Sequence, residues 1–298
     1  MLTAVAENAA ECGKKISFYY LTSKQSKVQH KNLAKLELLK NNPVIKEVLI
    51  ESRCKFWLRR LIRKITFRNN YIYFPLRRFS SAYMTPMKEN KNRFKILNNG
   101  RHGITAFCDK AGIPATVLRP RVLLTDDEKS KTEAILKQHN LDKTPFIIIE
   151  TGTLLKNSSK AWPLEYWKDL IPEIQKSYPE IKLIQISPGQ QSFEGVIDIS
   201  GKTSFRESLH FVEKAKATLT TEGALVHASA IFNIPSVVLV SRCMDPNLSI
   251  YPNQKQIFVD EGLDCINCGI FANCPNHNKC MTQITPEQVL KAINEIIH

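Results

Sequence analysis

Nowhere in the 298 residues does an apolar run approach the roughly 18 to 20 residues that a helix needs to cross a bilayer. The first residues, MLTAVAENAAECGKK, also lack the basic stretch of a secretory leader, and Glu7 and Glu11 interrupt what would be its apolar core. No internal repeat and no low-complexity tract is present, and with 43% hydrophobic residues disorder is not expected. These absences predict a cytoplasmic globular protein, long enough for two domains, whose eight cysteines are thiols by default.

Acidic residues are scarce over the first 125 positions. There are seven, Glu7, Glu11, Glu37, Glu47, Glu51, Glu89 and Asp109, against 25 Lys and Arg. From residue 126 onward 21 acidic residues outnumber 17 basic ones, so the formal net charge of +14 is carried by the first part alone. Any anionic partner therefore belongs there.

The second part alternates strands and helices. FIIIETG (146–152), IKLIQIS (181–187), ATLTT (217–221), SVVLV (236–240) and KQIFVD (255–260) read as short buried strands, the continuous apolar kind found in parallel sheets. Between them WPLEYWKDLIPEIQKSY reads as a helix with Pro163 near its start and Leu164, Trp167, Ile171 and Ile174 on one face. Ser204 with Glu207, and Thr125 with Glu128, are capping boxes that open further helices, and Thr285 followed by Pro286 opens the last. The first part is patterned less clearly. Strands are expected at ISFYYL (16–21), IKEVLI (45–50) and YIYFP (71–75), with helices over NLAKLELLKN and RCKFWLRRLIRK. The reading is a doubly wound α/β protein with domains at 1–125 and 126–298.

One stretch, TTEGALVHASA (220–230), places Glu222, Gly223, Ala224 and His227 directly after a strand. In a doubly wound sheet, ligands sit outside the carboxyl ends of strands, where loops lead into helix N-termini. The amides there bind phosphate only if side chains stay out of the way, which Gly223 and Ala224 satisfy.

Four segments in order resemble glycosyltransferase family 9, the ADP-heptose:lipopolysaccharide heptosyltransferase family. They are TGTLLKNSSKAWPLEYW, with a Lys and then Trp-Pro opening a helix; GKTSFRESLHFVEKAK; EGALVH with the Ala-rich HASAIFNIPSVVLV; and CMTQITPEQVLKAI. The likeness is good over about 140–298 and loose before it. It implies a GT-B fold of two Rossmann-like domains, with the donor on the second and the acceptor on the first. It implies that Glu222, Gly223, Ala224 and His227 face a nucleotide diphosphate and its sugar, that Lys160 neutralises the phosphates, and that Thr151 and Gly152 end the strand beside them. The activity implied is inverting sugar transfer, heptose above all, from an ADP-heptose-like donor to a glycan acceptor of lipopolysaccharide type, with no metal needed for catalysis.

Two features depart from that pattern. Ala224 stands where the family has Gly. Family members also begin with a strand and a Gly-Asp loop whose Asp is assigned as the catalytic base, whereas MLTAVAENAAECGKK resembles the helix after that loop. The expectation is a first domain without its initial strand, and no catalytic residue is assigned.

CINCGIFANCPNHNKC gathers Cys265, Cys268, Cys274 and Cys280, with His277 among them. Two thiolates two residues apart grip one ion from a tight turn and two more complete a tetrahedral shell, so a structural metal is one reading. Unligated thiols or disulfides are the other. Some relatives, the autotransporter heptosyltransferases, carry a four-cysteine iron site near this end, which leaves iron and zinc both open. Cys12, Cys54, Cys108 and Cys243 are scattered and read as packing residues.

RCKFWLRRLIRKITFR sets Leu58, Leu61, Ile62 and Ile65 at helical spacing among arginines. Such a helix either buries its apolar stripe in the domain or lies at an anionic membrane surface. An anionic glycolipid at the inner membrane face, as the resemblance implies, would suit the basic charge. Two other classes remain: a non-catalytic relative that binds nucleotide sugar, and a nucleic-acid binder with a zinc knuckle. Against the last, the cysteines lie in the mildly acidic part and the basic part has no recognition motif.

Overall fold

Strands that are apolar along their whole length must be covered on both faces, and in the second part of the chain they are. The computed structural model describes residues 1–22, 39, 41–52, 57, 71–75, 84–87, 94–96, 100–152, 156–187 and 191–297. The helices expected over NLAKLELLKN and RCKFWLRRLIRK, together with Cys54, Glu37 and Glu89, fall outside these residues apart from isolated positions. The chain divides into two compact units, Met1–Met84 with Leu97–Leu123, and Thr85–Ile96 with Leu124–His298.

In the first unit, helix α1 (Leu2–Glu11) leads into β1 (Lys15–Thr22), β2 (Ile45–Ser52) and β3 (Tyr71–Pro75). These form a parallel sheet in the order β2-β1-β3. Ala4, Val5, Ala6 and Ala9 are the buried face of α1. Within that face Asn8 is buried too, and all its polar capacity is used. Its Nδ2 donates to the carbonyls of Ala4 and Val117, both at 2.7 Å, while Oδ1 accepts from the amides of Thr116 and Val117 at 2.6 and 2.8 Å. A buried amide is tolerated on those terms, and here it ties residues 116–117 to the helix. Helix α2 (Gly103–Ala111) packs beside α1 and ends on Gly112 in the left-handed conformation. Strands β4 (Met84–Pro86) and β5 (Phe94–Ile96), which apart from Met84 belong to the second unit, pair with each other.

From Leu124 onward the second unit runs through α3 (Asp126–Gln138), capped by the expected box of Thr125 and Glu128. It continues with β6 (Phe146–Ile149), α4 (Leu164–Ser177), β7 (Lys182–Gln185), β8 (Val196–Asp198), α5 (Phe205–Lys214), β9 (Ala217–Thr221), α6 (Ala224–Phe232), β10 (Ser236–Leu239), β11 (Gln254–Ile257), the single turn α7 (Lys279–Thr282) and α8 (Pro286–Ile297). Ser204 and Glu207 cap α5 reciprocally, and Thr285 with Gln288 does the same for α8. All six strands are parallel, in the order β11-β10-β9-β6-β7-β8. This is the Rossmann order, and its direction reverses between β6 and β9.

Trp167, Leu170, Ile171 and Ile174 of α4 and Val289, Ile293 and Ile297 of α8 cover one face of the sheet, against Ile147, Leu183, Leu219 and Val237. On the other side α3 is fastened to α5. Arg206 of α5, 6% exposed, meets Glu128 through Nε at 2.5 Å and Nη2 at 3.0 Å. Nearby, the buried His210 ring has Glu213 at 2.7 Å and Glu133 at 2.9 Å from its two nitrogens. No helix among the described residues is long and apolar enough to cross a membrane.

Candidate functional site

In an open parallel sheet, ligands bind outside the carboxyl ends of the strands at such a reversal of order, which here are the ends of β6 and β9. The residues found there are Glu150, Thr151 and Gly152 after β6, and Glu222 and Gly223 after β9. Thr151 is buried, its hydroxyl donating to Gln185 Oε1 at 2.6 Å, which links the ends of β6 and β7.

Gly223 caps α6 with no side-chain cap, so the first amides of a nine-residue helix are left to another acceptor. Its φ of −136° is ordinary extended backbone. What demands glycine is space: a Cβ at this position would stand 2.9 Å from Glu150 Oε2. Ala224 is the first helical residue, and His227 follows in the first turn.

Glu222 is buried, with only 1% of its side chain exposed. Its Oε2 accepts from the Ser241 amide at 3.0 Å and the Ser241 hydroxyl at 2.8 Å. Oε1 has no hydrogen-bond partner among the described residues, and the Lys160 ammonium stands 3.8 Å from it. A buried carboxylate oxygen left open beside an ammonium can take a ligand hydroxyl. Lys160 Nζ also lies 5.4 Å from the centre of the Phe271 ring. His227 Nδ1 is 3.0 Å from the hydroxyl of Tyr251, whose ring meets the imidazole edge-on. Burial pushes the Tyr251 phenol up, so it stays neutral.

The structure thus gathers Thr151, Gly152, Lys160, Glu222, Gly223, Ala224 and His227 around the carboxyl ends of β6 and β9. It adds Glu150, Ser241 and Tyr251, which the sequence reading passed over. Glu150 had one visible signal, an acid that directly follows four apolar strand residues. Ser241 and Tyr251 lie 19 and 24 residues beyond their partners and had none.

The cysteine loop belongs to the same neighbourhood. Ser158 and Ala272 form an antiparallel bridge, Ser159 N donates to Phe271 O at 2.9 Å, and Asn273 N donates to Asn157 O at 2.9 Å. Asn267 N and Gly269 N donate to the carbonyls of Arg242 and Cys243 at 2.7 and 2.8 Å. The loop therefore braces the segment that carries Lys160 and the turn after β10. Burial raises the Cys280 thiol, a backbone hydrogen bond with Arg242 opposes the rise, and the neighbouring Cys274, Cys265 and Cys268 add to it. Yet no three Cys, His, Asp or Glu side chains among the described residues converge as a metal site, and the seven described cysteines are free thiols. The spacing that suggested an ion is present; the closed ligand shell is not.

No family model matches the sequence, and no curated protein does either. Solved structures do. Escherichia coli ADP-heptose lipopolysaccharide heptosyltransferase II is similar over 99% of this chain and 93% of its own, at 16% identity and a TM-score of 0.63. A glycosyl transferase family 9 protein from Veillonella parvula is similar over 95% and 97%, at 14% identity and 0.64. The iron-containing dodecameric heptosyltransferase TibC, solved with ADP-D-beta-D-heptose, is similar over 95% and 76%, at 14% identity and 0.53. The fold is therefore the one these enzymes share, GT-B, as the sequence resemblance implied.

Proposed function

We propose that this chain is an inverting glycosyltransferase of the heptosyltransferase kind, holding a nucleotide-diphosphate sugar at the carboxyl ends of β6 and β9. The observation that carries the reading is the uncapped N-terminus of α6 flanked by Lys160 and by Glu222, whose Oε1 is buried and open. The amides and the ammonium suit the two phosphates, and Glu222 suits a sugar hydroxyl. An acceptor hydroxyl would attack the anomeric carbon as the diphosphate leaves. The charge growing on the leaving oxygens would be met by the α6 amides and Lys160, fixed donors that need no reorganisation during the reaction.

The acceptor proposed is an anionic glycan or glycolipid, drawn to the basic first part of the chain, with peripheral contact at an anionic membrane surface. No base is assigned. Glu7 pairs with Arg121, Glu11 with Thr116, Glu47 with Ser17 and Asp109 with Arg101. If an ion is held at Cys265, Cys268, Cys274 and Cys280, it would cross-link the loop that braces Lys160, and its chemistry would be structural. Elemental analysis of protein purified without chelators decides that point, with iron or zinc at one atom per chain as the supporting result.

The experiment for the site is thermal unfolding with ADP and ADP-heptose. Ligand at a hundred times its Kd would stabilise the fold by about 2.7 kcal/mol. Lys160→Ala and Glu222→Ala should each abolish the gain while remaining folded. Stabilisation by RNA and not by either nucleotide would sink the reading in favour of a nucleic-acid binder. Binding with no transfer to any glycan acceptor would leave a non-catalytic relative.

A further inference from the structure

Glu150 stands where a diphosphate would bring negative charge, so its own charge state decides whether it assists or opposes binding; this deepens the reading of the site just given and rests on it. Thr220 Oγ1 lies 2.5 Å from Glu150 Oε2 and 2.7 Å from the carbonyl oxygen of Thr221, and Ser187 Oγ lies 3.0 Å from Glu150 Oε1. A hydroxyl has one hydrogen. Given to the carboxylate, it leaves the Thr221 carbonyl facing a lone pair; given to the carbonyl, it leaves an ionised Glu150 facing one. A proton on Oε2 satisfies both contacts. Glu150 then donates to Thr220, Thr220 donates to Thr221, and Ser187 donates to Oε1.

Burial is the largest influence on the carboxyl and raises it from its ordinary value, while the hydroxyls of Thr220 and Ser187 pull it the other way. Among the described residues, the groups against it are Thr220 of β9, Ser187 beyond β7 and Gly223 just before α6, none of them charged.

We propose that Glu150 is held as the neutral acid and is the positioning residue of the diphosphate site. Its hydrogen-bond chain fixes the turn from β9 into α6, and its lack of charge lets an anion reach the α6 amides beside it.

The test is ADP affinity by calorimetry at neutral pH, on the whole chain and on Glu150→Leu and Glu150→Gln. Gln repeats the pattern, with Nε2 donating to Thr220 and Oε1 accepting from Ser187; Leu fills the space and makes neither bond. Leu should weaken ADP binding by about tenfold or more, and Gln should bring it back to within about threefold of the parent, since only the hydrogen bonds separate the two variants. An ionised Glu150 would repel the diphosphate, so binding by Gln about tenfold tighter than the parent would overturn the proposal, as would equal affinities in all three. Infrared spectra give a second readout that needs no variant to fold. In parent protein with isotope-labelled glutamate carboxyls, a protonated-carboxyl band should be present at neutral pH, and its absence overturns the proposal. If the parent binds no ADP at all, the diphosphate reading falls and the role of Glu150 falls with it. If ADP binds but the band is missing, only this inference is lost.

Discussion

Replacing Gly223 by Ala adds one carbon at the tightest point of the site. The new Cβ would lie 2.9 Å from Glu150 Oε2, against 3.4 Å at the near edge of ordinary contact, so the carboxyl must retreat by about 0.5 Å. It cannot retreat freely, because Thr220 and Ser187 hold it at 2.5 and 3.0 Å. The Thr220 contact can lengthen to about 3.0 Å and remain a hydrogen bond, but the Ser187 bond would stretch to about 3.5 Å and lose part of its strength, and overpacking of this kind costs about 1–3 kcal/mol. A second cost has nothing to do with Glu150, since Ala is a poorer helix N-cap than Gly. A double-mutant cycle separates the two. In a Glu150→Ala background the contact is gone and only the capping cost remains, so the penalty of Gly223→Ala should shrink by about 1 kcal/mol or more. Urea unfolding followed by the fluorescence of Trp162 and Trp167, both in the core of the second unit, measures each corner. An unchanged penalty in the Glu150→Ala background would show that residue 223 is glycine for its backbone and not for the carboxyl beside it.

Two further outcomes follow from the same structure. The Arg206 guanidinium holds the Glu128 carboxyl down to about 2 from an ordinary 4.5, so the α3–α5 link is complete above pH 4.5 and is lost as the pH falls from there toward 2; Glu128→Gln should flatten that acid limb in a pH series of unfolding curves, and an unaltered limb would refute the link. Tyr251→Phe removes the hydroxyl 3.0 Å from His227 Nδ1 and should destabilise the second unit by about 1 kcal/mol while weakening ADP binding; the stability loss with ADP affinity unchanged is expected if His227 lies outside the site.

Some of this architecture is local chemistry. The runs FIII, ATLTT and SVVL are short, rich in apolar and β-branched residues and bounded by turn residues, which reads as strands covered on both faces, the kind a parallel sheet uses. Thr125 with Glu128 and Ser204 with Glu207 set helix starts because a capping box is made within four residues. Glu222, Gly223 and His227 could be singled out for the same reason, since the helix terminus that makes the site is contiguous in the chain.

Other features depend on contacts between distant residues. The order β11-β10-β9-β6-β7-β8, which alone decides that the ends of β6 and β9 lie side by side, cannot be read from any one strand. Whether Glu222 is open or satisfied depends on Ser241, nineteen residues on. The loop that carries the four cysteines braces the Lys160 segment through backbone groups of Phe271 and Asn273, contacts that leave no trace in residue type. Even the need for glycine at 223 comes from Glu150, seventy-three positions earlier, because parallel pairing of β6 with β9 sets that carboxyl against its Cα. Residue types set the elements and their ends; the packing of the sheet determined which groups face one another, and with that the chemistry of the site.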